Sequence, residues 1–272
     1  MPLLSDCAPG ARSYSPRRMS ASPLRIVLKF GSGILANARG TTLDERQIRR
    51  LCAEVAAVVK SGHQCVVVSS GAVAAGLGVL GLKDRPAELA ARQACAAVGQ
   101  TKLMTSYASH FSTHGLNVAQ LLLTHGDLDS RMRHRNARNT LECLFERGVV
   151  PIINENDSVA VEELKFGDND RLSAEVAMLA KAHLLILLTS VDGLLDKGGK
   201  TVPEVADIDA ATELVRPEKG RLSVGGMTSK LQAVKAAVGA GIATFIVSGR
   251  KAGRIGAIVA GRHVGTHFPA GS

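Results

Sequence analysis

The chain has 272 residues, of which 46% are hydrophobic and 21% charged. That is enough for one large α/β domain with a filled core, and it lies outside the range of disordered chains. Thirty-three Lys and Arg against 24 Asp and Glu leave a formal charge of +9, which favours an anionic ligand. Only 3% of residues are aromatic, too few for a protein that stacks nucleic-acid bases.

Residues 1–23 are rich in Ser, Pro and Arg. We read them as a disordered basic tail, with an organellar leader as the minor alternative. A single domain is expected over 24–272. Short β-rich runs follow at 25–30, 64–70, 117–124, 149–156, 183–189 and 242–249, most of them separated by helical stretches. The runs are nearly continuous in apolar residues, as parallel strands covered on both faces require. The alternation predicts an α/β fold built on a doubly wound, mostly parallel sheet. The first long helix is expected to start at a capping box of Thr42 and Glu45 and to end at Gly62. Its dry side is Ile48, Leu51, Val55 and Val58, and Leu43 falls on the wet side.

In such sheets ligands bind outside the carboxyl ends of the strands, so the residues after each strand carry the information. After the first comes KFGSGIL, with Lys29 at the strand end and Gly31 and Gly33 in a turn that lets backbone N–H groups approach a phosphate. A nicotinamide site is disfavoured, because the next strand ends in Ser69 and Ser70 where a ribose-binding acid is needed. A Walker A loop is absent. After the second strand, Ser70 and Gly71 precede a small-residue helix, suited either to an anion or to a simple N-cap by Ser70. NENDS (154–158) is dense in polar groups at the end of a buried strand.

GDNDRLSAEVAMLA (167–180) places Asp168, Asn169 and Asp170 at the start of a helix whose buried stripe is Leu172, Val176 and Leu179. Acids in a first turn suit the helix dipole, yet three polar groups in a row exceed one cap. SVGGMTSKLQAV (223–234) combines glycines, hydroxyls and Lys230 with a stripe of Met227, Leu231, Val234 and Val238, and describes an anion site.

Other constellations carry less. His110 and His114 have helical spacing, but Phe111 stands where a zinc protease has Glu. His263 and His267 have no acid near them in the sequence. All four read as structural, and no metal-ligating set is expected. The basic stretch 131–138 reads as a solvated face. Five Cys with no CxxC point to a reducing, cytoplasmic setting, with Cys52, Cys95 and Cys143 acting as small helical hydrophobes. No membrane span is expected, since the longest aliphatic run is 184–188.

The fragments Lys29-Phe30-Gly31-Ser32, Ser69-Ser70-Gly71-Ala72, Ile153-Asn154-Glu155-Asn156-Asp157, Gly167-Asp168-Asn169-Asp170 and Gly225-Gly226-Met227-Thr228-Ser229-Lys230 together resemble the amino acid kinase family. Within it they are similar to the branch that phosphorylates the γ-carboxylate of L-glutamate with ATP, the first step of proline biosynthesis. The resemblance runs from about Leu24 to Phe268 and implies a three-layer αβα sandwich. It assigns Lys29 and Lys230 to the ATP phosphates, with Asp170 positioning both. Ser70, Asp157 and Asn169 are the glutamate ligands it implies. Gly31, Thr189, Ser190, Val224, Gly225, Gly226, Met227, Thr228 and Ser229 are the nucleotide contacts. Two departures are visible, Ser190 where relatives carry Asp and Leu195 where many carry an aromatic residue. The resemblance also implies Mg²⁺ with the ATP, a homodimer or homotetramer, proline as a feedback inhibitor, and a chain without the C-terminal PUA module of many bacterial members. Two alternatives stay open. One is another acyl-phosphate-forming member such as an N-acetylglutamate kinase. The other is a nucleic-acid-binding or regulatory protein on the same fold.

Overall fold

A computed structural model describes residues 23–160, 168–214 and 226–271. The expected tail therefore lies outside the described residues except for Pro23, and so do Val224 and Gly225. The strands are β1 (Arg25–Phe30), β2 (Gln64–Ser69), β3 (Val118–Leu123), β4 (Val150–Glu155), β5 (Leu184–Thr189), β6 (Ala243–Ser248) and β7 (Thr266–Phe268). The helices are α1 (Ser32–Leu35), α2 (Glu45–Lys60), α3 (Ala72–Leu80), α4 (Leu89–Ser112), α5 (His125–Asp129), α6 (Arg131–Glu146), α7 (Asp168–Leu179), α8 (Ile208–Leu214), α9 (Met227–Gly239) and α10 (Arg254–Val259).

The seven strands form one sheet in the order β3-β4-β2-β1-β5-β6-β7. Every pairing is parallel except β6 with β7. Side chains alternate between its faces. Ile26, Leu28 and Phe30 of β1 join a core with α2, α4 and α10, while Val27 joins a second core with α6, α7 and α9. Helices thus cover both faces, giving the three-layer α/β sandwich. The apolar stripes expected on two helices are buried on α7, at Leu172, Val176 and Leu179, and on α9, at Leu231 and Val234.

All six expected strands are present. β7 was missed because three residues give no usable periodicity. Helix α2 starts later than expected. Asp44, not Thr42, caps it by accepting from the Gln47 N–H at 3.0 Å. Thr42 is engaged instead by the Asn37 amide at 2.8 Å, within a small loop closed by an antiparallel bridge between Ala36 and Leu43. That bridge carries Leu43 against the core rather than to the wet side. Cys52 and Cys95 are buried as expected, whereas Cys143 is exposed on α6. His267 meets Glu204 at 3.0 Å, an acid distant in sequence. No helix among the described residues is long and apolar enough to cross a membrane.

One packing feature shapes the site. At Gly76 of α3 and Gly99 of α4, an added Cβ would lie 1.8 Å from a carbonyl oxygen of the opposing helix, on Cys95 and Ala72 respectively. Only glycine permits that backbone approach. The crossing seats α4 close over the start of α3, where the turn after β2 presents Ser70.

Candidate active site

Lys29 is the penultimate residue of β1, between β2 and β5 at the middle of the sheet. Period-two alternation puts it on the face of Val27, beneath α7 and α9. Both helices begin at the carboxyl ends of the strands, as right-handed crossovers demand. Asp170 therefore comes down on Lys29 from the first turn of α7, and Lys230 arrives from the first turn of α9.

The result is a cation–carboxylate–cation triad. The Lys29 ammonium lies 2.6 Å from Asp170 Oδ1, and the Lys230 ammonium 3.1 Å from Asp170 Oδ2. The Ser229 hydroxyl also donates to Asp170 Oδ2 at 3.0 Å. The Asp170 side chain is only 1% exposed. Burial alone would push its carboxyl up, but the two ammonium groups outweigh burial and hold it below the usual carboxylate range. Burial pulls the Lys29 ammonium down from its ordinary value; Asp170 opposes that and Lys230 adds to it. One carboxylate thus holds two like charges that would otherwise separate, and an incoming polyanion relieves the repulsion that remains.

A second cluster lies beside the triad. The Asn169 amide nitrogen donates to Ser70 Oγ at 3.0 Å and to Asn154 Oδ1 at 3.2 Å. Ser70 does not cap α3. The cap position is Gly71, with φ 106°, and no side chain bonds there. The simple capping role is therefore corrected, because the left-handed turn at Gly71 turns the Ser70 hydroxyl toward α7. Tyr107 of α4 meets Ser69 Oγ at 2.7 Å, and Ser69 donates to the Ser70 carbonyl at 2.8 Å, so the core braces this turn. Asp157 follows β4. Burial pushes its carboxyl up to about 6, against the pull of Arg85. The Asp168 side chain lies outside the described residues.

The other side of the triad is a set of turns. Gly31 N donates to Leu188 O at 3.4 Å, and a Cβ on Gly31 would sit 3.5 Å from the Lys29 ammonium, so bare backbone borders that charge. Thr189 ends β5 and Ser190 follows it, beside the Gly249 N–H that donates to Thr189 O at 2.8 Å. Gly33, expected in a turn, lies in the short helix α1, and Arg250 donates to its carbonyl at 2.6 Å, tying α1 to the turn after β6. Gly226 is the N-cap of α9, with Met227, Thr228 and Ser229 in its first turn. Among the described residues, every expected site residue lies at the carboxyl edge of the sheet or the helix starts above it.

The profile of the Amino acid kinase family matches residues 24–248, a span that holds the triad and the Ser70, Asn154 and Asn169 cluster. The chain belongs to the amino acid kinase family. Curated relatives named glutamate 5-kinase are closely similar. One from Pelobacter propionicus is 43% identical over 251 residues, covering 90% of this chain and 67% of the relative. One from Citrifermentans bemidjiense is 46% identical over 255 residues, covering 91% and 68%. One from Thermus thermophilus is 44% identical over 259 residues, covering 93% and 69%. Among solved structures, an N-acetylglutamate synthase from Neisseria gonorrhoeae, complexed with coenzyme A and L-arginine, superposes with a TM-score of 0.60 at 13% identity. The alignment covers 92% of this chain and 62% of that one, and at this identity the likeness concerns the family fold alone.

The contact of Lys29 and Lys230 with Asp170 is the one the sequence leads to. It does not lead to Gln100, to Asn154 as a side-chain partner of Asn169, or to the Ser229 bond to Asp170. Asn154 carried a signal, being polar at the end of a buried strand. Gln100 carried none, since a lone Gln in an Ala-rich helix looks like solvent-facing filler.

Proposed function

We infer that the chain transfers the γ-phosphoryl group of ATP to the γ-carboxylate of L-glutamate, giving γ-glutamyl phosphate for proline biosynthesis. The observation that carries the chemistry is two ammonium groups, one buried and one half-buried, held by one buried carboxylate above the strand ends. The curated relatives supply the acceptor.

The acceptor is ionised at neutral pH, because a glutamate side chain has a pKa of about 4.3. It needs no general base, which fits a site built from cations and amides. The task is to bring one anion onto another and to stabilise charge spreading over the phosphoryl oxygens. Lys29 and Lys230 perform it. In this reading, Asp170 aims both ammonium groups. Gly31, Thr189, Ser190 and the start of α9, from Gly226 through Met227, Thr228 and Ser229 to Lys230, hold the nucleotide. ATP enters as its magnesium complex, the metal arriving with the substrate and screening its phosphates.

Glutamate lies on the other side, against Ser70, Asn169 and Asp157. Asp157 receives the α-ammonium, and the Ser70 hydroxyl donates to a carboxylate oxygen. By the resemblance, proline competes as feedback inhibitor and the chain assembles as a dimer or tetramer. Rate measurements with proline and light scattering test these two points. The free Cys52, Cys65, Cys95 and Cys143 fit a cytoplasmic setting; burial pushes the Cys52 and Cys65 thiols up to about 12, so they stay protonated.

The acyl phosphate product is trapped with hydroxylamine. Given MgATP, the chain forms the hydroxamate from free glutamate and far less from N-acetylglutamate. The reverse preference would reassign the acceptor, and no hydroxamate from either would refute the carboxylate-kinase reading.

A further inference from the structure

The cluster beside the triad continues away from it as a directed chain of amides. The Glu155 N–H donates to Asn154 Oδ1 at 2.9 Å. A backbone N–H is a donor without alternative, so this bond fixes which end of the Asn154 amide is oxygen. The Asn154 nitrogen must then donate on its other side, which it does to Gln100 Oε1 at 2.9 Å. Gln100 in turn donates to Gln120 Oε1 at 3.3 Å. Both Asn154 and Gln100 are buried, at 2% and 9% exposure, so a mismatched amide there would leave a polar atom without water.

The same logic runs toward the substrate. Asn154 Oδ1 and Ser70 Oγ both accept from the Asn169 nitrogen. Asn169 Oδ1 is thereby turned away from both, and it is buried with no partner among the described residues. A buried amide oxygen of this kind calls for a donor from the ligand. A carboxylate cannot supply one; an ammonium can.

We propose that Gln100, acting through Asn154, is a positioning residue that presents the oxygen of Asn169 to the acceptor's α-ammonium and so makes the site select an amino acid over a plain dicarboxylate. The inference rests on the reading of glutamate as acceptor.

The test compares glutamate with glutarate, which keeps both carboxylates and lacks the ammonium, in the full chain with MgATP. Gln100→Met removes the acceptor offered to Asn154 while keeping the length of the side chain. Its kcat/KM for glutamate falls about fivefold or more, through KM, while the value for glutarate and the KM for ATP stay within about twofold. Gln100→Glu still accepts from Asn154 and retains the native preference for glutamate, which keeps the proposal testable if the Met variant misfolds. Equal losses on the two acceptors in Gln100→Met would show a structural role only and overturn the proposal, as would loss of the preference in Gln100→Glu. If the native chain phosphorylates neither acceptor, the functional reading fails first and this inference falls with it.

Discussion

At Asp157 a single carboxylate carries opposing demands. Burial raises it to about 6, so between the ordinary carboxylate range near pH 4 and about pH 6 the native state binds more protons than the unfolded one. Stability therefore falls as pH rises through that window, and at pH 7 the ionised side chain is a cost to the fold. Asp157→Asn is expected to melt at or above the native temperature at pH 7 while its glutamate KM rises by about tenfold or more. In the native enzyme the glutamate KM rises as pH falls through about 6, with the ATP KM flat. The variant loses that dependence; steady-state kinetics across pH 5–8, with the range chosen to bracket the shifted carboxyl, checks both statements.

Asp170 behaves in the opposite sense. Its depressed carboxyl contributes stability that is fully present above the unfolded value, about 3.9, and is lost as pH falls through the lower native value. Asp170→Asn leaves the buried Lys29 ammonium and the half-buried Lys230 ammonium facing each other. The expected loss is about 3 kcal/mol at pH 7, the scale for breaking a buried pair. Denaturant melts at pH 7 and pH 3 check it, because the gap between native and variant narrows in acid.

At the level of elements, the α3–α4 crossing carries the clearest mechanical prediction. Gly99→Ala drives a Cβ to within 1.8 Å of the Ala72 carbonyl oxygen, backbone that cannot rotate away. A cost at or above the usual overpacking range of about 1–3 kcal/mol is expected, read as a lower melting temperature. Because α3 begins just after Ser70, the glutamate KM rises with it.

This part of the fold was the least legible in sequence. The six long strands announced themselves through unbroken apolar runs bounded by polar turns, and the lower faces of α7 and α9 through their helical stripes. The Gly76–Gly99 contact, the relay through Gln100 and the pairing of β7 depend on which elements meet, and a linear pattern does not encode that. Thr42 misled for a related reason, since its hydroxyl was claimed by a loop contact to Asn37 before a helix could use it. Lys29 was legible because a strand-end position in a parallel sheet has a functional meaning by itself, and Lys230 because it stands among glycines and hydroxyls at a helix start.

Across the whole molecule, the site is made by topology. Lys29 lies one residue from the end of the central strand, near one end of the chain, and Lys230 lies in the first turn of a helix near the other, yet one carboxylate touches both. Nothing local holds the two ammonium groups together, so their joint action is the strictest test of the account. The most direct measurement is kcat for hydroxamate formation from glutamate and MgATP by the native chain and by the Lys29→Ala, Lys230→Ala and doubly substituted proteins. Each single substitution is expected to lower kcat by about a hundredfold or more, with the double falling well short of the product, because both groups stabilise the same transferring phosphoryl. Near-native turnover in either single variant, with the fold intact, would contradict the account.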